Sequence, residues 1–280
     1  VKIVETIQQV RKEISIAKKT GQTIGFVPTM GYLHEGHISL IKAARKKHDV
    51  VIVSIFVNPL QFGPNEDLGR YPRDFKRDEQ MADEAGADLI FYPSVSEMYP
   101  EKMSMTIHVT KGVNVLCGAS RPGHFDGVAT VVMKLFQIIQ PDEAFFGQKD
   151  AQQLAVIINM VNAFNVPVII NACPTIREED GLAKSSRNVY LTEEERREAP
   201  ILYETLTYGA DLIRSGEHNR TQIIKRMTER LQMGSGKLDY IDVLKYPSLE
   251  KTENLSGQCI LAVAYHYRNA RLIDNYIVEA

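Results

Sequence analysis

Residues 23–57 read TIGFVPTMGYLHEGHISLIKAARKKHDVVIVSIFV, and this stretch decides the fold. Thr23 to Val27 is a short β-rich run closed by Pro28. A glycine-containing loop, Thr29 to Gly36, leads into the helical pattern Ile38 to Lys47. Val50 to Val57 is a continuous apolar run, too short to span a bilayer. Unbroken apolarity without alternation marks a strand covered on both faces. Strand, helix and buried strand in succession make a βαβ unit, which pairs its strands in parallel.

The same alternation extends outward. Val4, Ile7, Val10, Ile14 and Ala17 recur at helical spacing before Gly21. Phe75 to Ala85 reads as a helix and Leu89 to Tyr92 as a strand. Val128 to Ile139 is an apolar helix, Ala144 to Phe146 a strand, Ala151 to Phe164 a helix and Val168 to Ala172 a strand. The expected fold is α/β, with a Rossmann-like parallel sheet. The character then changes. Thr192 and Glu195 form a capping box that opens a helix carrying Leu202, Leu206 and Ile213. A second helix covers about 221–231, and three strand-like runs follow at 238–244, 259–267 and 271–278. We therefore expect residues 1–176 to form the Rossmann-like domain and 177–280 a smaller α+β C-terminal domain.

With 280 residues, at about 150 per domain, the chain has room for two domains. A net charge of −2 gives no basic surface for nucleic acid, so any anion site must be local. Cys117, Cys173 and Cys259 are scattered, which excludes a disulfide framework or CxxC zinc site and fits a reducing cytoplasm. The opening residues Val1-Lys2-Ile3-Val4-Glu5 lack the apolar core of a signal peptide. No membrane association is expected.

Four polar segments carry candidate chemistry. Pro28 to His37 follows the first strand, where ligands of open α/β sheets bind. The start of the next helix offers unpaired N–H groups suited to phosphate. His34 and His37 can both face a ligand there and stabilise charge as it develops. The spacing HEGH is not the HExxH of a metalloprotease, and no third zinc ligand is evident. Asn58 and Gln61 end the buried strand and suit a small hydroxy acid. Gly147, Gln148, Lys149 and Asp150 form another strand end, with Gln153 one turn into the helix beyond. Lys184, Ser185, Ser186 and Arg187 form a polar loop whose donors suit a triphosphate. Each segment alone could equally be a capped turn or a solvated loop. Three lie at strand ends and one at the domain seam, positions that converge in this fold class.

Residues 34–37 resemble the HxGH motif of nucleotidylyltransferases and class I aminoacyl-tRNA synthetases, and 182–188 resemble their KMSKS loop. The ordered segments PTMGYLHEGH, VSIFVNPLQFGPNED, RYPR, RPGHFDGVATVV, FFGQKDAQQ and DGLAKSSRNVYL resemble the pantoate–β-alanine ligase family. That resemblance implies ATP-dependent condensation of pantoate with β-alanine through a pantoyl adenylate, releasing pyrophosphate and AMP. It implies Mg2+ with the ATP, and a homodimer. It implies an ATP-binding loop of Met30, Gly31, Tyr32, Leu33, His34, Glu35, Gly36 and His37, with His37, His34 and Lys149 catalytic. Gly147, Gln148, Lys149, Asp150, Ile176, Lys184, Ser185, Ser186 and Arg187 would complete the ATP set. Gln61, Gln153 and Asn58 would take the pantoate and β-alanine. The metal ligands are left unassigned, and Lys184 stands where the family often has an apolar residue. A different HxGH nucleotidylyltransferase, and a non-catalytic nucleotide-binding protein, are the competing readings.

Overall fold

The computed structural model describes residues 1–64, 66, 68–232 and 234–280. Residues 65 and 67 of the PLQFGPNED stretch lie outside the described residues. In chain order the elements begin with β1 (Lys2–Val4), α1 (Ile7–Lys19), β2 (Ile24–Thr29), α2 (Glu35–Arg45), β3 (Val50–Ile55), α3 (Phe75–Glu84) and β4 (Leu89–Phe91). There follow α4 (Val95–Met98), α5 (Leu116–Ser120), α6 (His124–Ile139), β5 (Glu143–Gly147), α7 (Ala151–Phe164) and β6 (Ile169–Cys173). Helices α8 (Glu193–Glu198), α9 (Ile201–Arg214) and α10 (Arg220–Leu231) precede β7 (Lys237–Lys245), β8 (Gln258–His266) and β9 (Arg271–Glu279).

Two compact units result. The first takes Val1–Val109, Pro122–Gly147 and Met160–Pro174; the second takes Thr110–Arg121, Gln148–Asn159 and Thr175–Ala280. The division thus falls inside α7, and two early segments join the later unit.

In the first unit six parallel strands lie in the order β1-β4-β3-β2-β5-β6. Val27, Ile41, Ala44, Val51, Val53, Ile90 and Phe145 belong to one buried cluster between this sheet and its helices. Helical spacing places Val4 in the first helix, whereas the structure sets it in a strand, Lys2–Val4. Thr6 and Gln9 form a capping box that starts α1 only at Ile7. Strand β2 also runs on through Pro28. Its odd-numbered residues bond toward β3, and Pro28 faces the side where pairing with β5 covers only Gly25 and Phe26. The missing proline N–H therefore breaks no ladder bond.

In the second unit a three-stranded antiparallel sheet is covered on both faces. Successive side chains of a strand point to opposite faces. Leu261, Val263 and Tyr265 pack with Leu202, Leu206 and Met227 of α9 and α10. Ile260 and Ala262 pack with Leu116 of α5 and Ala151 and Ala155 of α7. The helix expected after Thr192 is two helices: α8 ends at Glu198 and Pro200 precedes α9. A proline cannot donate within a helix, so the chain restarts there. Among the described residues no helix is long and apolar enough to cross a membrane.

Candidate active site

Strand β2 is where the sheet order reverses, with β3 on one side and β5 on the other. The carboxyl end of such a strand opens a crevice where α/β sheets bind ligands. Here the chain leaves β2 through a left-handed turn, φ 85° at Gly31 and 52° at Tyr32. Thr29 Oγ1 donates to the Ser54 carbonyl at 2.8 Å and accepts the Gly31 N–H at 3.2 Å. The Tyr32 and Leu33 N–H groups donate to Asp78 Oδ2 and Oδ1, each at 2.7 Å. Asp78 lies on α3 and is buried. Burial pushes its carboxyl above the ordinary range, and the two backbone donors pull it partway back.

Helix α2 starts at Glu35, earlier than the apolar periodicity indicates, because His34 caps it. His34 Nδ1 accepts the Gly36 N–H at 3.1 Å, and His37 Nδ1 accepts the His34 N–H at 3.3 Å. The two imidazoles thus form a capping box, with ring centroids 4.2 Å apart. Gly36 fits closely beside the cap: a Cβ there would stand 2.8 Å from His34 Cε1, so the imidazole would have to shift. Of the N–H groups expected to be unpaired at the helix start, that of Gly36 donates to His34, and those of Gly31 through His34 in the preceding turn also donate within the protein. What the site gains instead is a fixed tautomer. With Nδ1 accepting on both rings, each neutral imidazole carries its proton on Nε2.

Asn58 caps a short 3-10 turn, Pro59–Gln61, that ends at Gln61, and both side chains are buried. Asn58 Nδ2 donates to Gln61 Oε1 and to the Gly127 carbonyl, each at 3.1 Å. Its Oδ1 accepts from Tyr99 Oη at 2.8 Å. Gln61 Nε2 reaches Met30 Sδ at 3.1 Å, which joins this turn to the ATP loop implied by the motif. Asn58 is thereby committed to protein partners at both ends of its amide, and Gln61 is the side chain it orients. A cavity of 440 Å³ adjoins the loop, with Met30, Gly31, Phe56 and Asp78 among its walls.

Gly147 ends β5 in the first unit. The remaining assigned residues belong to the second unit. Gln148–Asp150 form a 3-10 turn that enters α7. Asn275 of β9 donates to the Gln148 and Lys149 carbonyls at 2.8 and 2.9 Å. Gln153 is half-buried, whereas Gln152 is buried and donates to the Gly112 and Val115 carbonyls at 2.9 and 2.8 Å. Ile176 accepts the Lys184 N–H at 2.9 Å, and Glu178 N–H donates to Leu182 at 2.8 Å. The polar loop therefore begins as a small hairpin. Arg177 anchors it through Asp274 at 2.6 and 3.0 Å, with its guanidinium 3.6 Å from the Tyr203 ring centroid. Lys184 Nζ lies 3.5 Å from Glu178, Ser185 caps the turn Ser186–Tyr190, and Arg187 is exposed.

Asp78, Asn275 and the Arg177–Asp274 pair brace the segments that carry the candidate residues, and the sequence does not single them out. Asp78 left one signal: with Ala82 four residues on, it occupies the buried stripe of α3. A carboxylate there needs partners. Among the described residues no group of three or more His, Cys, Asp or Glu stands ready to hold a metal ion.

The model of one protein family, Pantoate-beta-alanine ligase, matches residues 2–277. A pantothenate synthetase of Halalkalibacterium halodurans is 57% identical over 274 residues, covering 98% of this chain and 97% of its own length. The crystal structure of pantothenate synthetase from Thermus thermophilus superposes with a TM-score of 0.91 at 43% identity, covering 99% of each chain. Pantoate-beta-alanine ligase from Francisella tularensis, complexed with beta-gamma ATP and β-alanine, gives a TM-score of 0.78 at 38% identity. That match covers 99% of this chain and 97% of the other.

Proposed function

This chain belongs to the pantoate–β-alanine ligases, which join pantoate to β-alanine to form pantothenate, and from that membership we propose how its residues carry the reaction. ATP, pantoate and β-alanine are its substrates; the Francisella tularensis relative is known with beta-gamma ATP and β-alanine. Mg2+ would accompany ATP and offset part of the charge on its phosphates. A carboxylate is a poor acyl donor, so its oxygen first attacks the α-phosphorus. The bond to pyrophosphate breaks and pyrophosphate leaves with the electron pair. The neutral amine of β-alanine then attacks the acyl carbon of the pantoyl adenylate. AMP departs with the carbon–oxygen electron pair, and the amine proton passes to solvent.

Charge builds on phosphate oxygens in the first step, so fixed donors do most of the work. His37 and His34 present Nε2–H to those oxygens, with Lys149 adding a compact positive charge. Met30 to His37 and Gly147 to Asp150 bind ATP, together with Ile176 and Lys184 to Arg187. Gln61 and Gln153 hold pantoate, and Asn58 keeps Gln61 in place. The enzyme works as a cytoplasmic homodimer, a setting consistent with its three free cysteines.

The observation that carries this reading is the imidazole capping box at the sheet's reversal point, which fixes two Nε2 donors. Pantoate labelled with 18O in its carboxylate tests it. The label is expected in AMP after turnover with β-alanine. Formation of ADP, with the label in inorganic phosphate, would establish acyl-phosphate chemistry instead.

A further inference from the structure

The turn between Thr29 and His34 is an unusual piece of backbone. Two consecutive residues are left-handed, and one of them, Tyr32, has a Cβ that makes this conformation unfavourable. Such geometry persists only when its surroundings over-determine it. Here the surroundings supply three acceptors. Thr29 takes the Gly31 N–H, and one buried carboxylate takes the next two. That carboxylate belongs to Asp78, 46 residues beyond Tyr32 on a different helix. Arg77 beside it places its guanidinium 5.2 Å from the Tyr32 ring centroid. A Cβ on Gly31 would stand 3.0 Å from Asp78 Oδ2, so turn and carboxylate fit closely.

We infer that Asp78 is a positioning residue for adenylation: its two carboxylate oxygens template the left-handed turn that delivers Met30 and the His34–His37 cap to the reacting phosphate. The turn's other end is fixed by α2, whose first residue follows the cap directly. Met30, at the start of the turn, meets Gln61. A displaced turn therefore shifts the imidazole donors and the pantoate-facing glutamine together. No neutral side chain replaces Asp78, because two parallel N–H donors need two acceptor oxygens on one rigid group. Asparagine offers one acceptor and turns a donor toward the second N–H.

The inference rests on the adenylate route above, and its test separates the two. Asp78→Asn is measured in both half-reactions. Pantoate-dependent ATP–pyrophosphate exchange is expected to lose about tenfold or more in kcat, the scale of a lost charged hydrogen bond. Aminolysis of supplied pantoyl adenylate by β-alanine should change less than about threefold, because the pyrophosphate whose departure loads the imidazole donors has already left. In a His37→Ala background the Asp78→Asn loss should shrink, since both act through one cap. Equal losses in both half-reactions, or losses that simply multiply, would show a general packing defect and overturn the inference. Hydrogen exchange of the wild-type Tyr32 and Leu33 amides judges the geometry even if the variant does not fold. Strong protection is expected; exchange at the rate of exposed loops overturns the inference. Absence of any wild-type exchange activity would count against the adenylate route, while the amide measurement would still decide on Asp78.

Discussion

A methyl group at Gly127 would stand 2.2 Å from the Leu60 carbonyl oxygen and 2.7 Å from Gln61 Cα. Helix α6 can approach the Asn58–Gln61 turn only because this residue has no side chain. Gly127 also supplies the carbonyl that accepts from Asn58. Gly127→Ala should therefore push the Gln61 backbone away and raise the KM for pantoate by about tenfold, with the KM for ATP changed much less. Steady-state kinetics with each substrate varied would check this. Equal weakening toward both substrates would mean that the helix start had collapsed generally. At this scale the sequence was informative where chemistry is local. His34, His37 and Gln61 announce themselves by residue type and spacing. Asp78 and Asn275 do not, because their partners are backbone groups far away in the chain. Asn58 is less plain. Its type suits substrate binding, yet its amide serves the protein.

Helix α8 is short, and its start is held by reciprocal bonds. Thr192 Oγ1 accepts the Glu195 N–H at 3.2 Å, and Glu195 Oε2 accepts the Thr192 N–H at 2.9 Å. Glu195 Oε1 also takes the Arg268 N–H at 2.9 Å, in the turn between β8 and β9. The backbone donors of Thr192, then Arg268, hold its carboxyl below the ordinary value of 4.5. A depressed carboxyl stabilises the fold above the unfolded-chain value, and that contribution disappears as pH falls through the native value. Glu195→Gln cannot titrate. Urea unfolding from about pH 7 to about pH 3 should show a smaller acid loss of stability in the variant, which starts lower at neutral pH. An unchanged slope of stability against pH would remove Glu195 from the acid response. The capping box was legible because its four-residue pattern is self-contained. The end of α8 was not, since the apolar period runs across Pro200 as though the helix continued. Strand β1 was hidden for a related reason: three residues carry too little pattern to compete with the helix that follows.

The parallel sheet and the later α+β unit were both visible as alternation and then its loss, because periodicity survives in a single sequence. The interleaving of the chain was not. The contribution of Thr110–Arg121 and Gln148–Asn159 to the second unit depends on which faces meet, and no linear pattern carries that. A fragment of residues 177–280 would keep α9 and α10 but strip Leu116, Ala151 and Ala155 from Leu244, Ile260 and Ala262. Roughly 25 cal/mol is lost for each Å² of apolar surface so exposed. The fragment should lack near-ultraviolet circular dichroism and unfold without a cooperative transition; a sharp transition would show that the early segments are dispensable. The same interleaving sets a timetable during synthesis. All six strands of the parallel sheet have been made once β6 ends at Cys173. The second unit must wait for β9, about a hundred residues later, or roughly 5–20 s on the ribosome. Through that interval α5 and the opening turns of α7 are already synthesised, and the sheet meant to cover their apolar side chains does not yet exist. The nascent chain therefore carries a sticky surface of fixed lifetime, and slower translation beyond residue 173 lengthens its exposure to chaperones and to other chains.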